Sequence, residues 1–171
     1  MLHRAPNSAS RRVAAIIPTR DRAQWTLRAV ESVLAQTRPA DEVIVVDDGS
    51  RDDTVEQLER HHPEVTMLRL DGRGVSAARN AGIAAATSEW LAFLDSDDEW
   101  LPGKLEAQLN ALADEAELLV CHTDEIWIRK GRRVNPRRRH QKYGGFIYRH
   151  CLPLCAISPS AVMIHRQVFD T

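Results

Sequence analysis

The sequence predicts an α/β fold: a mostly parallel sheet flanked by helices, with a short, incomplete α+β tail. Between residues 13 and 119, short β-branched runs alternate with longer segments of helical period, which is the signature of βαβ units. The runs end in turn-forming and acidic residues rather than continuing as long apolar stretches. Size agrees, because a chain of roughly 150 residues buries about 70% of its unfolded surface, and this one has 171 residues, 43% of them hydrophobic.

The first strand, residues 13–17, stops at Pro18. Asp21 has the chemistry to cap a helix whose apolar positions Trp25, Leu27, Val30, Val33 and Leu34 precede Pro39. A second strand, 42–46, runs into Asp47-Asp48-Gly49-Ser50. Ser50 and Asp53 have the spacing of a capping box, which opens a helix carrying Val55 and Leu58 inward. Strand three covers 65–70, and Gly72 and Gly74 mark the turn after it. Residues 75–86 are helical and alanine-rich, so this helix can pack closely.

Strand four, 90–94, ends at Asp95-Ser96-Asp97-Asp98. Pro102 suits the first turn of a helix through Leu105, Leu109 and Leu112, and 118–121 forms a fifth strand. Beyond it, 123–129 and 132–134 flank Lys130-Gly131 as a hairpin, 146–152 forms a short helix and 161–165 a last strand. The expected division is a flexible tail at 1–12, a ligand-binding core at 13–122 and a partial second region at 123–171.

Composition narrows the function. No apolar run approaches the roughly 18 residues that a membrane-spanning helix needs. The polar N-terminus, with His3, Arg4, Arg11 and Arg12, lacks the apolar core of a signal peptide. Cys121, Cys151 and Cys155 have no CxxC spacing and read as free thiols rather than zinc ligands. The expected location is therefore cytoplasmic. Formal net charge is -1, yet eight of the 23 Lys and Arg residues crowd into a basic loop at 129–142 with no acidic neighbour among them. That loop is either solvated or docks on an anionic acceptor or the inner face of an anionic membrane. Nucleic acid is not expected, because no aromatic residues interleave with the charges to stack bases.

In an open α/β sheet, ligands sit at the carboxyl ends of strands. Here those positions carry Asp47 and Asp48 after strand two, and Asp95, Asp97 and Asp98 after strand four. So many carboxylates at one edge repel unless a cation or a donor-rich ligand is shared among them. The Asp95-Ser96-Asp97-Asp98 turn offers hard oxygen ligands suited to Mg²⁺ or Mn²⁺, with the phosphates of a nucleotide diphosphate completing the shell. Asp47 or Asp48 can accept from a nucleobase N–H or a ribose hydroxyl, and for Asp47 alone the competing reading is a turn former. Trp100, directly after the acidic turn, stands at the cleft wall or in the core.

Five stretches in order resemble the successive motifs of family 2 glycosyltransferases. They are Ala15-Ile16-Ile17-Pro18-Thr19-Arg20-Asp21-Arg22, Ser32-Val33-Leu34-Ala35-Gln36-Thr37, Glu42-Val43-Ile44-Val45-Val46-Asp47-Asp48-Gly49-Ser50, Gly74-Val75-Ser76-Ala77-Ala78-Arg79-Asn80-Ala81-Gly82 and Leu91-Ala92-Phe93-Leu94-Asp95-Ser96-Asp97-Asp98-Glu99-Trp100. The resemblance implies a GT-A, Rossmann-like fold, a nucleotide-diphosphate-sugar donor, a divalent metal, and inverting transfer to a saccharide or lipid-linked acceptor. By position it implies donor binding by Pro18, Thr19, Asp21, Asp47, Asp48, Arg79, Asn80, Asp95 and Asp97. Asp97 and Asp98 are the implied catalytic, metal-holding pair, Asp48 reads the base, and Arg73 is a second cation. Family members commonly have Asn where Asp21 stands.

An inverting transfer needs a general base. In the family it comes from a Glu-Asp motif that follows a segment resembling residues 158–170. The sequence ends at Thr171. The expectation is a chain truncated before its base, with Asp124 or Glu125 as substitutes and Asp170 poorer still. The alternative function is a noncatalytic nucleotide-sugar-binding fragment. Phe93-Leu94-Asp95-Ser96-Asp97 also superficially matches the acidic strand end of haloacid dehalogenase-type phosphohydrolases, but those place it on the first strand.

Overall fold

Strand β1, Val13–Thr19, is buried along its whole length, so every residue of its apolar run must find a partner on one face or the other. The alternation does this. Val13, Ala15 and Ile17 face one cluster with Ala29, Val30, Leu58 and Leu105, while Ala14 and Ile16 face a second with Ile44, Val46, Ala78 and Phe93. The computed structural model describes residues 11–113, 115, 117–134, 140–153 and 155–170. Residues 1–10 of the expected tail, and Arg137, Arg138 and Arg139 of the basic loop, lie outside the described residues.

The elements follow in order: α1 (Ala23–Leu34), β2 (Glu42–Asp47), α2 (Thr54–His61), β3 (Thr66–Arg69), α3 (Val75–Ala85), β4 (Trp90–Phe93), α4 (Lys104–Ala113), β5 (Val120–His122), β6 (Trp127–Arg129), β7 (Arg132–Val134), α5 (Tyr148–Cys151) and β8 (Val162–His165). The central sheet has the order β3-β2-β1-β4-β8-β5. Strands β3, β2, β1 and β4 are parallel, as the βαβ alternation requires. Strand β8 runs antiparallel between β4 and β5, so residues beyond 123 contribute a strand to the main sheet. This insertion matters because an antiparallel strand brings its own beginning beside the end of β4.

Three local expectations change. Strand β1 continues through Pro18 to Thr19, paired with Val46 and Asp47. Its pairing with β4 ends at Ile16, so the missing proline N–H falls where β1 has a strand partner on one side only. Asp21 does not cap α1: its φ is 51°, and its Oδ1 accepts from Arg51 N at 2.6 Å. The Ser50–Asp53 capping box is also absent, because Ser50 Oγ is recruited by Asp47 and by Asp21 N, 2.8 Å away. These bonds tie the β2–α2 loop to the β1–α1 loop instead.

Helix α3 packs unusually close to the sheet. A Cβ on Gly82 would stand 2.4 Å from Ile16 Cγ2, so hydrogen is the only side chain that fits. Within the hairpin, Lys130 and Gly131 both have positive φ, the geometry of a two-residue turn between β6 and β7.

Candidate functional site

A cleft of about 590 Å³ opens at the carboxyl ends of β1, β2 and β4. Pro18, Thr19 and the turn through Arg22 form one side, and Asp48 lies at the floor after β2. The start of α3 supplies Gly74, Val75, Ala78 and Arg79, and the turn after β4 supplies Asp95, Ser96 and Asp97. A smaller hollow of about 190 Å³ lies by α2 and β3, and none of the strand-end carboxylates lines it.

Most of the expected residues thus meet in one place. Asp47 is buried and accepts from Ser50 N at 3.1 Å and from Ser50 Oγ, so its carboxylate closes its own turn. Asp48 straps two loops together: Oδ1 accepts from Arg73 N at 2.7 Å and Oδ2 from Gly74 N at 2.8 Å. The Gly74 φ of 91° is a left-handed conformation that glycine adopts freely. Two backbone donors leave a carboxylate room to accept a further N–H. Thr19 Oγ1 is 2.6 Å from Thr26 Oγ1, so this hydroxyl is already paired. Asn80 is exposed on α3 and is not among the lining residues.

The acidic turn is held by cations and by hydroxyls. Arg79 Nη2 donates to Asp95 Oδ1 at 2.6 Å, and its buried Nε has no hydrogen-bond partner. Arg22 Nη1 is 3.0 Å from Asp97 Oδ2. Asp98 is exposed and is not among the lining residues; Ser160 Oγ donates to its Oδ2 at 2.6 Å. Burial raises the Asp98 pKa, and the neighbouring charges of Asp97, Asp95 and Glu125 add to the rise against the lowering effect of Ser160.

Such a carboxylate is stabilised by an added cation. Asp95, Asp97 and Asp98 supply hard oxygen donors on one turn, the chemistry that Mg²⁺ and Mn²⁺ prefer. Among the described residues, no three His, Cys, Asp or Glu side chains already converge on one point as a cage. Asp97 and Asp98 could supply one or two carboxylates to such a cation, whose shell ligand oxygens would complete.

Four participants escaped the sequence reading of roles. Arg22 belongs to a quoted motif but had no assigned partner. Ser158, Ser160 and Lys142 come near the acidic turn through the β8 insertion and the fold of the tail, Ser160 bonding Asp98 and the other two Glu125. Lys142 is not a solvated member of the basic loop: its Nζ donates to Glu125 Oε1 at 2.6 Å and its side chain is 8% exposed. Glu125 also accepts from Trp127 Nε1 at 3.0 Å and from Ser158 Oγ. Asp124 is exposed on the β5–β6 connection and does not line the cleft.

The family model for glycosyl transferase family 2 matches residues 14–171. The chain belongs to glycosyltransferase family 2. Relatives of this family 2 chain include an uncharacterized glycosyltransferase of Rickettsia felis, 32% identical over 154 residues, covering 89% of this chain and 25% of the relative. The succinoglycan biosynthesis protein ExoO of Rhizobium meliloti is 39% identical over 117 residues, covering 67% of this chain and 34% of that protein. Among solved structures, Staphylococcus aureus TarS 1-349 in complex with UDP superposes with a TM-score of 0.72 at 22% identity, over 93% of this chain and 48% of TarS. The mannosyltransferase PcManGT of Pyrobaculum calidifontis, in complex with GDP-Man and Mn²⁺, gives 0.69 at 22% identity, over 93% of this chain and 46% of that one. The family 2 chain therefore has the GT-A fold. It spans about a quarter of the length of the Rickettsia felis relative and just under half of these solved chains.

Proposed function

We propose that this chain binds the nucleotide-diphosphate-sugar donor of a glycosyltransferase in the strand-end cleft, and that the sugar passes to a saccharide or lipid-linked acceptor hydroxyl by metal-assisted inverting displacement. The observation that carries the reading is the meeting of Arg22 and Arg79 with Asp97 and Asp95 in one strand-end cleft of a GT-A sheet, with Asp98 next on the same turn. TarS in complex with UDP-GlcNAc and PcManGT in complex with GDP-Man and Mn²⁺ support it by analogy of fold.

In this reading Pro18, Thr19, Asp21 and Asp48 border the nucleoside, and Asp48 accepts from the base while keeping the Arg73–Gly74 loop in place. Asp47 holds the turn that presents Asp48. Arg79, with its partnerless Nε, turns charge-assisted donors toward the diphosphate. Asn80 lies beside it on the helix. Asp97 and Asp98 would hold Mn²⁺ or Mg²⁺, and Asp95 orients Arg79. A divalent ion supplies neutralisation of charge on the leaving diphosphate.

The general base is assigned to neither Asp124, which is exposed, nor Glu125, whose pKa three donors hold low and which is therefore a weak proton acceptor. The second reading is donor binding without transfer. Residues 13–122 form the donor core in this account, and 123–171 form the acceptor side apart from β8. Exposed Arg129, Lys130, Arg132 and Arg133 on the β6–β7 hairpin present positive charge to an anionic acceptor or membrane face. Unpaired Cys121, Cys151 and Cys155 agree with a reducing, cytoplasmic compartment. Among the described residues, no helix is long and apolar enough to cross a membrane.

Incubating the chain with Mn²⁺ and a panel of nucleotide sugars, and measuring nucleoside diphosphate release, tests this proposal. Release from one donor, lost in Asp98→Asn, supports a transferase. Binding without release supports the second reading, and absence of both binding and release contradicts the two together.

A further inference from the structure

Strand β8 is antiparallel to β4, with Ala92 opposite Met163. Continuing that register places the residues just before β8 beside the acidic turn just after β4. The 3-10 turn Pro159–Ala161 occupies this place. Its Ser160 makes three bonds into one short stretch. The Oγ donates to Asp98 Oδ2 at 2.6 Å and accepts from Asp95 N at 3.0 Å, while the carbonyl accepts from Trp100 Nε1 at 2.9 Å.

A hydroxyl has one proton, and the Asp95 N–H can only donate, so the Ser160 proton is committed to Asp98. The backbone bond fixes the hydroxyl, and the hydroxyl in turn fixes one oxygen of a carboxylate that its acidic neighbours would otherwise push aside. Ser158, two residues earlier, donates to Glu125 in the same way. The two serines of one turn thus hold two nearby carboxylates.

We propose that Ser160 is a positioning residue for Asp98, which sets the cation affinity of the acidic turn from a segment 62 residues further along the chain. The inference rests on the reading of Asp97 and Asp98 as cation ligands. Partners that orient a ligating carboxylate change metal affinity by about 10- to 100-fold when removed. Ser160 is expected to fall in that range.

The test is a Mn²⁺ titration of the full chain in a fixed concentration of UDP or GDP, against a protein-free blank of the same nucleotide, followed through the electron paramagnetic resonance signal of the free ion, at fixed pH. Ser160→Ala is expected to weaken Mn²⁺ binding about 10- to 100-fold, and Ser160→Thr, which keeps the hydroxyl, to restore it to within about threefold. Val162→Ala loosens β8 without touching the hydroxyl and controls for general softening. If Ser160→Ala binds Mn²⁺ as wild type does while Asp98→Asn loses it, the positioning role is overturned and the cation reading stands. An equal loss in Val162→Ala, or a failure of Ser160→Thr to restore binding, overturns the role as well. If the wild-type chain does not bind Mn²⁺, the cation reading falls and takes this inference with it. Thermal unfolding checks that each variant is folded; should Ser160→Ala not fold, the comparison of Ser160→Thr with Ser160→Cys, a weak donor, decides the same question.

Discussion

Glu125 and Lys142 show how the site treats charge at the level of single side chains. Burial alone pushes the Glu125 pKa up, but donors from Lys142, Ser158 and Trp127 outweigh it and hold the carboxyl below its ordinary range. A depressed folded pKa contributes stability that is present above the unfolded value of about 4.3 and is lost as pH falls through the folded one. Lys142→Met is expected to lower stability at pH 7 by about 1–3 kcal/mol, with a smaller loss at acid pH, measured by thermal unfolding at both. Lys104 carries the opposite sign. Its Nζ lies 4.2 Å over the Trp100 ring and donates to Gln108 Oε1 at 2.6 Å. Burial lowers its pKa to about 7, against a small opposing effect from Cys121. Between about pH 7 and the unfolded value of about 10.4 the unfolded chain binds more protons, so stability rises with pH across that window. Lys104→Met, which cannot charge, is expected to flatten the rise in thermal unfolding between pH 6 and pH 9.

At the scale of elements, the close contact of α3 with β1 rests on Gly82. Gly82→Ala puts a methyl where Ile16 Cγ2 already stands, and overpacking of this kind costs about 1–3 kcal/mol. Chemical denaturation of the variant measures that loss; an unchanged midpoint would show that α3 can lift without penalty. The alanine-rich pattern of residues 75–86 announced a close-packing helix, and the β-branched runs announced β1 to β4, because each depends on neighbours in sequence. The cap assignments were not legible. Asp21, Ser50 and Asp53 satisfy local rules, yet Ser50 and Asp21 bond across the gap between two loops. The place of β8 was hidden for the same reason: an apolar run at 161–165 says that a strand exists and nothing about its neighbours. The spacing of Asp95, Asp97 and Asp98 is local and legible in the sequence, while the contacts of Ser160 and Lys142 depend on the register of β8 and the course of the tail.

The whole molecule resolves a nearly neutral charge into an acidic, cation-suited edge and a basic hairpin on the tail. It also gives the strand-end carboxylates different work: Asp47 and Asp48 fix loops by accepting backbone N–H groups, whereas Asp97 lines the cleft and Asp98 pairs with Ser160. In the function proposed above, the acidic turn and a nucleoside diphosphate share one divalent cation. By linkage, the cation must then tighten the nucleotide, and the nucleotide the cation, by the same factor. Calorimetric titration of the chain with UDP and with GDP, in Mn²⁺ and in EDTA, measures this directly. One nucleotide is expected to bind at least about tenfold tighter in Mn²⁺, a gain that Asp98→Asn removes; equal affinity in Mn²⁺ and EDTA, or an Mn²⁺ gain retained in Asp98→Asn, would contradict a shared cation.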